Sequence, residues 1–401
     1  MTVTDTAGLP AFPGTRSQRC PFDPPTQYTQ WREAGGLQRV RLWNGHTAWA
    51  VSRSEDVKQV LTDPRISADI RRDEHLAPQM QNQPPTFPRM DDPEHARLRR
   101  MLTGDFTVKR MQALRPQIEN VVNDCLDAMI AKGQPADLVQ EYALPVPSLV
   151  ISLLLGVPYA DHEFFQQRSA VMNYAHATPQ EKATANKELF GYLMGLVEQK
   201  EREPGEDLLS RLLAERVATG ELDRAGAAMN GLILLFAGHE TTANMIGLST
   251  VTLLRNPEQA ARIRDTDDPT VVANAVEELL RYLSIAQDMI FRVATEDIVI
   301  GGQLVRAGDA LTVSLPAANR DTALFDDPDT LDFDRKTLGH LAFGHGVHQC
   351  LGQNLARAEL QIALPALFRR LPELRLAIPF EEVKFRHDMS AYGVHELTIA
   401  W

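Results

Sequence analysis

One cysteine stands where a protein can make a thiolate useful. Cys350 closes the run Phe343-Gly344-His345-Gly346-Val347-His348-Gln349-Cys350-Leu351-Gly352, which leads straight into the helical pattern from Gln353 to Leu360. Backbone N–H groups and the dipole at a helix start stabilise an anion and so lower a thiol's pKa. The glycines let the backbone pass close to something large and flat. A thiolate held in this way is one of the few protein ligands for haem iron, and the one that favours O–O cleavage. Three other readings compete. His345, His348 and Cys350 are metal-ligand types, but a zinc site takes a fourth ligand or an open water position. Gly344-x-Gly346 could open a dinucleotide loop, but Gln349 stands where the third glycine belongs. The plainest alternative is a buried structural cysteine.

A second stretch breaks several local rules at once. Asp223 to Arg255 is the longest helical pattern, ended by Asn256-Pro257, and its centre reads Leu234-Leu235-Phe236-Ala237-Gly238-His239-Glu240-Thr241-Thr242. An acid and two hydroxyls inside an apolar helix are costly unless partnered. A glycine there weakens the helix by about 1 kcal/mol, and Ser or Thr can bond back to the carbonyl four residues earlier and bend it. A satisfied polar knot would explain the stretch structurally, but such a concentration of conflicts more often marks function. Elsewhere, His95 and Arg99 share one helix face, Arg292 sits in an alternating strand, and Glu278 can pair with Arg281 at i,i+3. Taken singly, each has a bland reading as a solvated or paired charge.

Together these stretches resemble the cytochrome P450 family. Phe343-Gly-x-Gly346-x-His348-x-Cys350-x-Gly352 resembles its haem-ligand signature. Ala237-Gly238-His239-Glu240-Thr241 resembles the oxygen-binding kink of its long helix, and Glu278-x-x-Arg281 with Phe333-Asp334-Arg335 its structural lock behind the cysteine. The resemblance runs from about residue 30 to 401. It implies a mainly α fold, with a large helical part and a small β-rich lobe, as a single domain over residues 1–401. It implies haem b (iron protoporphyrin IX) with Cys350 as the iron ligand. By the same resemblance His95, Arg99, Arg292 and His348 hold the haem propionates, Glu240 and Thr241 form the proton-delivery pair, and His239, Glu278, Arg281 and Arg335 are structural. The substrate pocket would be walled by the loop 74–90, residues 165–190, Ile233, Phe236 and Ala237, Ala286 to Ile290, and Ser390 with Ala391.

The implied reaction takes O2 and two electrons and hydroxylates an unactivated C–H bond of a hydrophobic small molecule. Polyketides, macrolides, steroids and xenobiotics are the implied classes, a statin precursor such as compactin among them. The implied electron donor is a ferredoxin or flavodoxin with its reductase. A haem-thiolate peroxygenase and a non-enzymatic haem sensor or carrier are the alternatives. The Glu240-Thr241 pair argues against the first, and a carrier would have no need of the conflicts in the long helix.

Composition bounds these readings. Hydrophobic residues are 44% and charged residues 23% of 401, as in a soluble enzyme. No run approaches the ~18 apolar residues of a membrane span, and the N-terminus lacks a signal-peptide core. A cytoplasmic protein without membrane anchor or fused reductase is expected. Cys20, Cys125 and Cys350 are odd in number and far apart, which argues against a disulfide scaffold. The net charge of −12 is no nucleic-acid footprint. In so acidic a protein, a patch that receives an acidic electron donor must be locally basic. Lys109, Arg110 and Arg357 are its candidates.

The elements that must position these residues are partly legible. Residues 1–35 read as irregular. Val40 to Val51 reads as a hairpin turning on Asn44-Gly45, followed by a short helix over 54–61. The proline-rich residues 64–93 read as a long loop and a lid. Thr107 to Lys132 reads as an amphipathic helix with a late start or a kink at Pro116 and a stop at Gly133. Residues 143–156 read as buried helix and 161–200 as two helices. Met289 to Leu315 reads as strands with a Gly301-Gly302 turn. Phe385 to Trp401 reads as a strand pair turning near Tyr392-Gly393.

Overall fold

The computed structural model describes residues 8–17, 20–78, 81, 85–173, 177–387 and 389–401. Helix makes up 54% of the chain and the strands are short, so the fold is mainly α with small sheets. The chain forms two compact units, each assembled from separated segments.

The first unit comprises Met1–Arg100, Ala273–Leu351 and Ser390–Tyr392. Its five-stranded sheet runs in the order Leu37–Arg41, Thr47–Val51, Ala310–Val313, Phe291–Ala294, Ile66–Ser67. The expected hairpin is there, with Val40 opposite Ala48, and Gly45 has φ +82° as its turn requires. Val51, Val57, Leu61, Leu311, Val313 and Leu315 are buried together beneath the sheet. The stretch 64–93 is less irregular than its prolines suggest. It supplies the edge strand Ile66–Ser67 and the single turns Ile70–Arg72 and Phe87–Arg89. The N-terminal stretch also needs correction, because Gln27–Glu33 is helical and buries Tyr28 and Trp31. Pro24 and Pro25 lie ahead of that helix, where proline does not interrupt it.

A buried ion-pair lock fixes the approach to the cysteine loop. Glu278 and Arg281 have fully buried side chains and meet through two bonds of 2.7 and 2.8 Å. Arg281 also donates to the carbonyls of Asn319, Pro328 and Thr330, while Glu278 accepts from Arg335 and the Asp332 N–H. Such a pair is tolerable in a core because further bonds satisfy its remaining donors and acceptors. Asn319 passes the constraint on by accepting the Leu341 N–H at 2.6 Å, two residues before the loop begins.

The second unit comprises Met101–Val272, Gly352–Met389 and Gly393–Trp401. Its helices include Val108–Lys132, Pro145–Leu155, Pro179–Arg202, Arg224–Arg255 and Gln353–Arg370. Thr107 caps Val108–Lys132, so Pro116 does not delay the start, and Gly133 ends it at φ +92°. Burial of Ile118, Val122, Cys125, Leu126 and Met129 on one face offsets the bond that the proline removes. The long helix Arg224–Arg255 is continuous and is capped by Asp223, which accepts the Gly226 N–H. It packs against Pro145–Leu155 and Gln353–Arg370.

The expected C-terminal strand pair is largely replaced by other pairings. Only a bridge between Phe385 and Val394 remains of it. Thr398–Ala400 is instead the middle strand between Ala136–Asp137 and Arg375–Leu376. Strand alternation identifies a strand but does not name its partner. Among the described residues no helix is long and apolar enough to cross a membrane.

Candidate active site

In the first unit the cysteine loop is closed by its own backbone. The Cys350 N–H donates to the Phe343 carbonyl at 2.9 Å and Gln349 N–H to Gly346 at 3.0 Å. Gly346 has φ +72°, and a Cβ there would lie 2.8 Å from the Leu61 carbonyl, so both conformation and space require glycine. Cys350 is exposed at the loop's end, three residues before the helix Gln353–Arg370. Cys125, by contrast, is buried, and burial pushes its thiol up to about 12. The structural reading therefore suits Cys125 and not Cys350. Among the described residues no three His, Cys, Asp or Glu side chains are grouped as a zinc site needs.

The four residues expected to clamp propionates come together in the same unit. The His95 and His348 rings lie 4.0 Å apart between centroids. His95 Nδ1 meets Asp92 at 3.1 Å, but His95 Nε2 and His348 Nδ1 are buried without a partner among the described residues. Burial lowers the pKa of His95 against the Asp92 bond. Burial, then Arg292, His95 and Arg99, push His348 down to about 3, with Asp91 opposing. Arg292 is itself buried and lowered to about 10, and it donates to the Phe291 carbonyl. Asp91 is already engaged by Ser67 and the Ala68 N–H. Arg99 donates to the Gln349 carbonyl at 2.6 Å, and Cys350 favours its charge against burial. Two guanidinium groups and two unsatisfied imidazoles in one place call for an anionic ligand.

In the second unit the long helix is buried along most of its length but not on one stripe. Ile233, Phe236, Ala237, Glu240 and Thr241, at i, i+3, i+4, i+7 and i+8, are partly or largely accessible. Phe236 is 36% exposed, unusual for a phenylalanine at the middle of a core helix. The Thr241 and Thr242 hydroxyls donate to the carbonyls of Ala237 and Gly238, four residues back, at 2.8 and 3.2 Å. His239 points into the core and donates to Leu235, which suits the structural role expected for it. The Glu240 carboxylate accepts from Arg386 at 2.8 Å; burial raises its pKa and Arg386 opposes the rise.

Two residues of this region escaped the sequence reading. Arg386 lies in the run Lys384-Phe385-Arg386-His387, which offers no signal. Glu359 lies on Gln353–Arg370, fully buried and hydrogen-bonded to Thr242, and burial pushes it up to about 8. A charged residue four from Leu355 and three from Ile362 on an apolar face was a usable signal. Of the expected pocket walls, Ile290 and Ala391 are half-buried and Ser390 exposed. Residues 79–80, 82–84 and 174–176 lie outside the described residues.

The fold is that of a haem-thiolate oxygenase, and the comparisons with known proteins agree. The chain belongs to the cytochrome P450 family: the family model described as Cytochrome P450 matches residues 23–374. It is a monooxygenase of that family, whose members bind haem through a cysteine thiolate. Cytochrome P450-SU2 of Streptomyces griseolus is 51% identical over 100% of both chains. The vitamin D3 dihydroxylase of the same organism is 48% identical over 100% of this chain and 99% of its own. The crystal structure of the mycinamicin VIII C21 methyl hydroxylase of Micromonospora griseorubida, bound to mycinamicin VIII, matches with a TM-score of 0.91 at 41% identity. It covers 98% of this chain and 100% of its own. The orphaned nitrogens of His95 and His348 beside Arg99 and Arg292 fit the carboxylates of a haem.

Proposed function

We propose that the chain hydroxylates an unactivated C–H bond of an apolar secondary metabolite of polyketide, macrolide or steroid type. A statin precursor such as compactin falls within that class. The two relatives named for vitamin D3 and mycinamicin VIII support the class and not an individual compound. Haem b is the cofactor, with Cys350 as iron ligand and His95, Arg99, Arg292 and His348 on its propionates. A ferredoxin or flavodoxin with its reductase supplies two electrons, in the cytoplasm. The family match runs through both units, and residues 1–401 act as one catalytic domain.

The open stripe on the long helix is the observation that carries this proposal. It pairs an apolar wall with an acid and a hydroxyl, which a haem carrier would not require. Haem, when bound, supplies the oxygen and redox chemistry. Thr241 keeps its oxygen lone pairs free to accept from a water while its hydrogen rests on Ala237. Glu240, raised by burial, is suited to reload that water.

Thr241→Ala tests the proposal. Positioned proton transfer is worth roughly 10²–10⁴-fold in rate. The variant should keep haem and substrate binding, continue to consume electrons, and release hydrogen peroxide in place of product. An unchanged ratio of product to electrons in the folded, haem-replete variant would show that the hydroxyl only satisfies the helix.

A further inference from the structure

Proton delivery does not account for Arg386. A carboxylate that must take up and release protons is poorly served by a bound guanidinium, which favours its charged form. Yet the chain brings Arg386 there by a specific route. The Arg386 N–H donates to the Gly393 carbonyl at 2.8 Å. Gly393 lies so close to Asn244, one turn beyond Glu240, that an added Cβ would collide with the Asn244 amide. The resulting contact is incomplete. Nη1 reaches Glu240 at 2.8 Å, but Nε is buried and has no partner among the described residues. The Arg386 and Glu240 side chains are only 12% and 13% exposed.

An unmet buried donor is costly, and a guanidinium fork is shaped to hold a carboxylate through two parallel bonds. Beside this half-used fork, on the same stripe of the helix, lies the accessible apolar surface of Ile233, Phe236 and Ala237. An apolar wall next to a cation with spare donors suits an amphipathic acid.

We infer that Arg386 binds the carboxylate of an apolar acid lying along Ile233, Phe236 and Ala237, and that this ligand draws Arg386 away from Glu240 and frees Glu240 for proton transfer. The inference rests on the proposed monooxygenase function and specifies a substrate class for it. It has a consequence that simple binding lacks. Glu240 and the ligand compete for one cation, so removing the charge of Glu240 must strengthen binding of the acid.

Calorimetric titration of the haem-containing protein with decanoate and with decan-1-ol tests this. In the wild type decanoate should bind about tenfold more tightly than the alcohol, the least expected of one charge-assisted pair. Glu240→Gln should widen that preference, Arg386→Met should abolish it, and Arg386→Lys should keep part of it. Equal affinities in the wild type, no binding of decanoate, a preference that survives Arg386→Met, or one indifferent to Glu240→Gln would each overturn the inference. Should Arg386→Met fail to fold, the Arg386→Lys and Glu240→Gln arms still decide. The carbon monoxide spectrum of the reduced wild type separates the two levels. Without a thiolate-type spectrum the monooxygenase function itself fails. With a normal spectrum and no preference for the acid, only the role of Arg386 fails.

Discussion

Glu359 is a carboxyl whose burial favours the protonated form. Burial disfavours its charge, and the hydrogen bond with Thr242, which favours the charged form, offsets only part of that. Its pKa is raised from 4.5 to about 8 by burial. Between those values the unfolded chain has released the proton and the folded chain has not. The folded state therefore binds more protons, and stability falls as pH rises through that window, by on the order of 1 kcal/mol per unit. Glu359→Gln keeps an acceptor for Thr242 and removes the titration. Melting temperatures at pH 5 and pH 8 should show the wild type losing more stability than the variant over that interval; parallel changes would mean the carboxyl is ionised throughout. Residues of this kind mark the limit of legibility. Cys350, His95 and Glu240 stood in recognisable patterns. Arg386 acquires its meaning only from a partner 146 positions away.

At the scale of elements, the Glu278–Arg281–Arg335 lock carries the largest stability prediction. Arg281→Ala takes from the fully buried Glu278 carboxylate the closer of its two guanidinium partners, at a cost of about 3–5 kcal/mol. Arg281→Lys should recover little, since an ammonium cannot reach Glu278 and three carbonyls in one plane. Denaturant unfolding of both variants checks this, and near-wild-type stability of either would refute the lock. The elements themselves were legible where one local cue sufficed. Asn44-Gly45 marked a hairpin, Gly133 a helix end, and the polar centre of Arg224–Arg255 its special stripe. Legibility failed where pairing was remote. Thr398–Ala400 joins Ala136–Asp137 across the chain, and nothing near Trp401 announces that partner.

Across the whole molecule, the two units interleave segments from both ends of the chain, so that Ser390–Tyr392 belongs to one unit and Gly393–Trp401 to the other. Composition cannot reveal such a division. Charge does bear on this scale. With a net charge of −12, a docking patch for an acidic electron donor must be a local exception. Lys109 and Arg110 are exposed at the start of Val108–Lys132, and Arg357 is half-buried on Gln353–Arg370. Reversing their charges should slow reduction by a ferredoxin and flatten its salt dependence in stopped-flow measurements. Unchanged rates in all three reversals would remove the patch.

The central claim is that Cys350 is the thiolate ligand of a haem, and the spectrum of the reduced, carbon monoxide-bound protein tests it most directly. The wild type should show the Soret position of a thiolate-ligated haem, and Cys350→His should lose it while retaining haem. A thiolate-type Soret band that persists in Cys350→His, or that is absent from the wild type, would contradict the assignment.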